Sequence, residues 1–248
     1  MAAAARARGL SFESTRGQLA PGASEAAART ARHTWLEQVR IKHGSAAILT
    51  AHHQDDLLET SLLNLARGTG RRGLAPMQPQ ASPTILRPFI ALTRADLRAY
   101  ARQRNIIWRE DSTNADTTNP RNFLRHHLLP AAGPNWRRSY LELINQLAAL
   151  NTTIDQVIAA MLESARTSPD TYTFPPAVIR GLSLPEVEEL LLVAARTLRP
   201  GIQLDRPLMQ EIAQFAHTGH SRKYRPLRQG LFLALARDQI SLTTKAPR

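Results

Sequence analysis

Six residues, Ala46 to Ala51 (AAILTA), constrain the fold more than any other stretch. They form a continuous apolar run between a helical pattern and an acidic helix start. A run that short and apolar on both faces reads as a strand covered on both sides, as in a parallel sheet. Before it, Ser24 to His43 reads as an amphipathic helix with Ala28, Ala31, Trp35, Leu36 and Val39 on one face. Ser24 suits its N-cap and Gly44 its stop. After it, Asp55 to Arg67 repeats the helical period through Leu58, Leu62, Leu65 and Ala66. Leu10 to Thr15 alternates as a short half-buried strand would, behind a helix end at Ala2 to Arg8 that Gly9 stops. The order helix, strand, helix, strand, helix predicts an α/β domain with a doubly wound, mostly parallel sheet.

Further along, Gly68 to Pro83 is loop-like, and Thr93 with Asp96 makes a capping pair that opens a helix to Arg104. Ile106 to Trp108 is strand-like, residues 110–120 (EDSTNADTTNP) form a polar loop, and Pro120 opens a helix that Pro130 is expected to close. The character changes after Pro134. Tyr140 to Ala165 is a long amphipathic helix, Ser183 with Glu186 caps a helix to Leu198, and Asp205 caps another to about His217. Lys223 to Thr244 reads as strands turning at Asp238-Gln239. The boundary is therefore placed near Pro134: an α/β domain over residues 1–133, then a smaller α+β, mainly helical domain over 134–248.

Composition narrows the function. With no cysteine there is no disulfide scaffold, thiolate nucleophile, Cys-ligated zinc or iron–sulfur cluster. The net charge is +12, and only Lys42, Lys223 and Lys245 among the 32 basic residues are lysines. Such a surplus points to a polyanion, most simply nucleic acid. Residues 1–138 hold 20 basic against 10 acidic side chains, and residues 139–248 hold 12 against 10. The polyanion is thus expected to dock mainly on the first part. No apolar run approaches the roughly 18 residues of a membrane-spanning helix. The start, MAAAARARGL, lacks the apolar stretch of a secretory signal, so a cytoplasmic protein is expected.

Ala51 to Thr60, AHHQDDLLET, is the strongest candidate site. His52 and His53 fall at the C-terminal end of the apolar strand, where open α/β sheets place their ligands. Asp55, Asp56 and Glu59 occupy the first turns of the next helix, where carboxylates also serve the helix dipole. A metallohydrolase centre and a magnesium–nucleotide site both fit these residue types. Gly68 to Gly73 spells GxGxxG but follows a helix and enters a proline-bearing loop, so it reads as a glycine hinge rather than a dinucleotide fingerprint. Arg121 and Arg125, four apart with Asn122 between them, repel unless an anion lies across them. Arg29 and Arg32 invite the same reading.

Four patterns in order, AHHxDD with ET, RGxGxxGLxxM, RPxxxxxRxxL and DxxNxxxxxxRNxLRH, together resemble the bacterial tRNA(Ile)-lysidine synthases, which are PP-loop (N-type) ATP pyrophosphatases. The resemblance runs from about Leu10 to Pro130. It implies ATP-dependent ligation of L-lysine to C2 of the wobble cytidine in the isoleucine tRNA with a CAU anticodon, through an adenylated tRNA. It implies ATP and magnesium, with Asp55, Asp56, Arg29, Arg32 and Arg121 in catalysis. His52, Glu59, Asn122 and Arg125 would lie on the nucleotide side, and Asp55 and Asp56 would take the metal. A related tRNA thiolase is disfavoured by the absence of cysteine. Two departures stand out. Leu57 replaces the usual Gln, and the SGGxDS loop that cradles ATP phosphates in this family occurs nowhere in the 248 residues. The PP-loop domain is therefore expected to be incomplete at its N-terminus. The chain alone is expected to make no lysidine without an N-terminal partner chain or a longer reading frame. The other reading is a non-catalytic tRNA-binding remnant or one half of a split enzyme.

Overall fold

Ser24 opens the first long helix, its Oγ accepting the Ala27 N–H at 3.2 Å. The structure, a computed structural model, describes residues 1–20, 22–82, 84–109, 118–219 and 223–246, without the side chains of residues 25, 26 and 80–82. Behind a short helix, Ala2–Arg6 (α1), the Ser24 cap starts Glu25–Lys42 (α2). Gly44 ends it with a φ of +61°, a left-handed turn that a side chain would strain. Next come Ile48–Leu49 (β1), Gln54–Ala66 (α3), Arg71–Leu74 (α4), Gln80–Ser82 (β2), Ile85–Leu86 (β3) and Arg94–Gln103 (α5). Thr93 and Asp96 form the expected capping box at α5.

The fold is α/β, with less sheet than expected. The order is β1-β3-β2, with β1 parallel to β3 and β2 antiparallel to it. A doubly wound, mostly parallel sheet is thus reduced, among the described residues, to one parallel and one antiparallel pair. Of the run Ala46 to Ala51 only Ile48 and Leu49 pair, and Leu49 is 68% exposed, so this strand is not covered on both faces. Leu10 to Thr15 forms no strand. Leu10 and Phe12 are exposed, and alternation without a partner edge or a core face does not fix extended structure. Ile106 to Trp108 likewise joins no described strand. Most of the expected polar loop at 110–120 lies outside the described residues.

Asn119 accepts the Arg121 N–H at 2.9 Å and starts Pro120–Phe123 (α6). The chain continues through a π-helical turn, Leu124–Leu128, and Leu129–Ala131 (α7) into Gly133–Ala165 (α8). Pro130 does not close the helix. It sits in the first turn of α7, where a missing N–H is tolerated.

Two compact units emerge, Met1–Ala148 and Ala149–Arg248, so the division falls within α8 rather than near Pro134. Helix continuity explains the difference: Gly133 and Pro134 open α8 instead of separating domains. In the first unit, Leu57, Leu58, Ala75, Met77 and Ile144 form the core. The second unit holds Arg166–Ser168 (β4), Thr171–Phe174 (β5), Pro176–Gly181 (α9), Leu184–Leu198 (α10), Arg206–Thr218 (α11), Lys223–Pro226 (β6), Phe232–Leu235 (β7) and Ile240–Thr243 (β8). Its sheet runs β4-β5-β8-β7-β6, all antiparallel. Tyr172, Phe174, Leu233, Leu235, Ile240 and Leu242 alternate inward onto the helices, as period-two patterning requires.

Candidate active site

The start of α3 is built from the AHHQDD segment itself. The His53 ring is the N-cap: its Nδ1 accepts the Asp56 N–H at 3.4 Å, and the Asp56 carboxylate accepts the His53 N–H at 3.0 Å. Asp55 reaches outward in two directions. One oxygen accepts the Arg94 N–H at the first turn of α5 (2.7 Å), and the other accepts from Arg137 of α8 (2.7 Å). Burial pushes the Asp55 carboxyl up, but the Arg94 N–H and then Arg137 more than offset it, so its pKa lies below the ordinary value. One turn on, Glu59 is fully buried and takes a two-pronged grip from Arg125 (2.7 and 2.8 Å), with Arg121 at 3.7 Å. Arg121 also donates to Thr60 at 3.0 Å. The two arginines four apart therefore meet on one carboxylate.

His52 is placed differently from its neighbour. It follows β1, and its Nδ1 meets Thr50 Oγ1 at 2.9 Å, while the Thr50 N–H donates to Leu86 of β3. Burial lowers its pKa. Asp56 pulls the other way, and the fields of Arg87, Arg29 and Arg32 lower it further, leaving the ring neutral at pH 7. His33 on α2 is lowered by burial and by the same three arginines. Arg87, one residue beyond β3, is 6% exposed and donates from Nη1 to Gln78 O at 2.9 Å. Its Nε is buried and finds no acceptor among the described residues. The C-terminal ends of the parallel pair β1 and β3 thus collect arginine charge around a neutral imidazole. Arg87 was not among the sequence candidates. The Arg-Pro that opens RPxxxxxRxxL, directly after a strand, was the available signal.

A cleft of about 450 Å³ lies beside α3, lined by Arg29, Thr60, Leu63, Asn64, Arg67, Pro76, Met77, Asn119, Pro120 and Arg121. Three arginines and no carboxylate line it. Arg29 and Arg121 are thereby brought together, whereas Arg32 is exposed and lines neither this cleft nor the one lined by Asp55 and Glu59. Asn122 is buried. The glycine-rich segment that follows α3 folds back on it: Thr69 Oγ1 donates to Asn64 O at 3.0 Å and Asn64 Nδ2 to Gly73 O at 2.8 Å. A Cβ at Gly73 would overlap the Thr69 side chain, which accounts for that glycine without a dinucleotide.

The residues do not fit a protein-made magnesium centre. Asp55 spends both oxygens on Arg94 and Arg137, and Asp56 spends one on its cap, with the other 3.8 Å from Arg125. Among the described residues no group of three His, Cys, Asp or Glu is placed to hold a metal. The same geometry disfavours a metallohydrolase.

A family model described as a PP-loop domain matches residues 2–132. The tRNA(Ile)-lysidine synthase of Burkholderia mallei is 37% identical over 172 residues, covering 64% of this chain and 35% of that protein. That of Pseudomonas syringae pv. tomato is 35% identical over 184 residues, 71% and 41%. That of Xanthomonas axonopodis pv. citri is 46% identical over 115 residues, 45% and 26%. The match thus spans less than half the length of each of these relatives, and it bears out the resemblance carried by AHHQDD and RNFLRH. No described helix is long and apolar enough to cross a membrane.

Proposed function

The chain belongs to the PP-loop domain family, and from that premise we propose that it serves an ATP-dependent tRNA modification, the ligation of L-lysine to C2 of the wobble cytidine in the isoleucine tRNA with a CAU anticodon. In this reading the C2 oxygen of the base attacks the α-phosphorus of ATP and pyrophosphate leaves. The lysine amine then attacks C2, the C2–O bond breaks and AMP departs. The cleft holding Arg29, Arg67 and Arg121 without a carboxylate is the observation that carries the proposal. Guanidinium groups around a departing phosphate neutralise charge as it develops. Arg87, with an unsatisfied buried Nε, and Arg32 add to that field. Neutralisation by arginine, rather than by a metal held on Asp55 and Asp56, is the role assigned to this chain's own side chains.

His52, neutral at pH 7, suits acceptance of the proton that the lysine ammonium must shed before it attacks. Asp55, Asp56 and Glu59 act as positioning residues: they fix His53, Arg137, Arg121 and Arg125, and Asn122 is buried on the same helix as Arg121. The reaction also needs backbone donors for the ATP phosphates, and the 248 residues contain no SGGxDS loop. The same carboxylate-free cleft would also hold RNA phosphates, which gives a second reading, tRNA binding without catalysis.

Incorporation of radiolabelled lysine into the tRNA transcript separates the two. The chain with ATP and magnesium is expected to give none alone, and to give product when a fragment bearing the loop, or a longer chain, is supplied. Arg29→Ala or Arg121→Ala should then lower the rate by about 100-fold or more, as loss of a phosphate-stabilising donor does. Product from the 248 residues alone would overturn the requirement for the loop. No product in any mixture, with tRNA still bound, would favour the binding reading.

A further inference from the structure

Arg87, one residue beyond β3, carries a charge that the fold does not answer. Its side chain is 6% exposed. Nη1 donates to Gln78 O at 2.9 Å, while Nε is buried with no acceptor among the described residues. The charge whose field acts on it there is that of Arg29, another cation. A guanidinium cannot shed its proton, so burial without a counter-charge is costly. The same unit treats its other buried charge in the opposite way, since Glu59 is gripped by Arg125 and approached by Arg121.

The surroundings of Arg87 are cationic. The ends of the parallel pair β1 and β3 are joined by the bond from the Thr50 N–H to Leu86 O at 3.0 Å, and Thr50 Oγ1 meets His52 Nδ1 at 2.9 Å. Arg29, Arg32 and His33 share one face of α2. The fields of Arg29, Arg32 and Arg87 reach both His33 and His52, and burial acts with them, so both rings are neutral at pH 7. The Asp56 carboxylate acts on His52 but is engaged in the His53 cap. Three guanidinium groups thus gather at strand ends of the kind where α/β sheets hold ligands, and the missing partner is an oxyanion. A carboxylate would bring one negative charge against three, whereas a phosphate monoester brings about two. A phosphodiester within a chain brings one and carries a sugar on each side, which a nearly buried side chain does not admit. A terminal phosphoryl group meets both limits.

We propose that Arg87 anchors a recess for the terminal phosphoryl groups of a nucleotide, with Arg29 and Arg32 at its rim, and that pyrophosphate is held there. The choice of pyrophosphate rests on the proposed ATP chemistry, in which it is the leaving group. The recess itself does not. Arg29 also lines the cleft of about 450 Å³, which ties the recess to the site assigned to the reaction.

The full chain is titrated with sodium pyrophosphate in metal-free buffer by isothermal calorimetry. L-lysine and an oligoribonucleotide without terminal phosphates serve as comparison probes. The parent should bind pyrophosphate saturably, and R87Q should weaken that binding by about ten-fold or more, the loss expected for charge-assisted hydrogen bonds. R32Q, at an exposed position, should weaken it by about two- to five-fold, and less as salt is raised. Should R87Q fail to fold by circular dichroism, R87K keeps the charge without the fork and should weaken binding by about three-fold. In the parent, the Arg87 Nε–H resonance, identified by its loss in R87K, should shift when pyrophosphate is added. No saturable binding by the parent, or unchanged affinity in folded R87Q, would overturn the recess. So would R87Q weakening lysine or oligoribonucleotide binding while sparing pyrophosphate, which would make the anion a carboxylate or a backbone phosphodiester. Arg67 lines the cleft, so R67Q separates the two places. Pyrophosphate binding lost in R67Q and kept in R87Q would overturn the recess and leave the ATP reading intact. Pyrophosphate binding weakened by R87Q, in a chain that makes no lysidine in any mixture, would support the recess and remove the lysidine reading.

Discussion

In Ala149–Arg248, 22 buried apolar side chains among the described residues form one cluster, and Thr243 is the buried polar exception. In Met1–Ala148 five buried apolar side chains do so, alongside buried Glu59, Ser61, Arg87 and Asn122. Apolar burial is non-directional and tolerates many arrangements, so the second unit gains stability without fixing any charged group in place. Arginine–carboxylate bonds are directional, and the first unit uses them to join its elements: Asp55 ties α3 to α5 and α8, and Glu59 ties α3 to α6 and the turn after it. Ser61 adds a bond to Leu74 O and meets Tyr140, whose ring stacks on Trp136. A scaffold assembled this way holds guanidinium groups at set positions around its clefts, which is what phosphate chemistry needs.

The largest effect should come from the apolar side of that contrast. Phe174, buried on the sheet of the second unit, should lose about 3–5 kcal/mol of stability as Phe174→Ala, read by urea unfolding of the full chain. Glu59→Ala should follow at about 3 kcal/mol, because it strands Arg125 without its carboxylate while that side chain, partly exposed, can still rehydrate. A loss below about 1 kcal/mol for Glu59→Ala, the level of an exposed surface pair, would break the comparison, since the first unit would then not depend on its buried ion pair.

Much of this was legible in the sequence where the physics is local. Ser24, Thr93, Ser183 and Asp205 sit at the helix starts assigned to them, and Asp238-Gln239 joins β7 to β8. Caps and turns depend on a few neighbouring residues, so a one-dimensional reading finds them. The strands at Leu10 to Thr15 and Ile106 to Trp108 did not form, because a strand needs a partner edge that alternation cannot supply. The site divides along the same line. AHHQDD was recognisable as the start of a helix at a strand end, but adjacent histidines look alike in sequence and differ in place: His53 caps α3 while His52 faces three arginines. That Asp55 and Glu59 anchor arginines from positions 137 and 125 is a long-range fact that no spacing encodes.

Acid should sharpen the comparison next. The Asp55 carboxyl titrates below its ordinary 3.8, so its contribution is fully present above that value and is lost as the pH falls through the lowered one. Asp55→Asn should remove roughly 1.5–3 kcal/mol at neutral pH, as loss of charged hydrogen bonds does, and should flatten the stability profile below about pH 4. The second unit offers no buried carboxylate among its described residues, so Phe174→Ala should shift stability while leaving the acid limb unchanged. An acid limb identical in Asp55→Asn and the parent would mean that the Arg94 and Arg137 bonds do not form in solution.

The smallest effect comes from a device both units share. At α5 the Thr93 hydroxyl accepts the Asp96 N–H at 3.1 Å and the Asp96 carboxylate accepts the Thr93 N–H at 2.8 Å. At α10 the Glu186 carboxylate accepts from the Ser183 N–H and hydroxyl at 2.7 and 2.6 Å. Replacement of either cap by alanine should cost about 1 kcal/mol, the usual loss for a helix N-cap. The consequences should differ because the helices carry different things. Helix α10 buries Val187, Leu190, Leu191, Ala194 and Ala195, so its packing outweighs its cap and Ser183→Ala should change stability alone. Helix α5 buries no residue and is held at its start by the cap and by Asp55. Thr93→Ala should therefore also speed amide hydrogen exchange through the first turn of α5, whereas Ser183→Ala should leave exchange within α10 unchanged. Unchanged exchange in α5 of Thr93→Ala would show that α5 is held by more than these polar contacts.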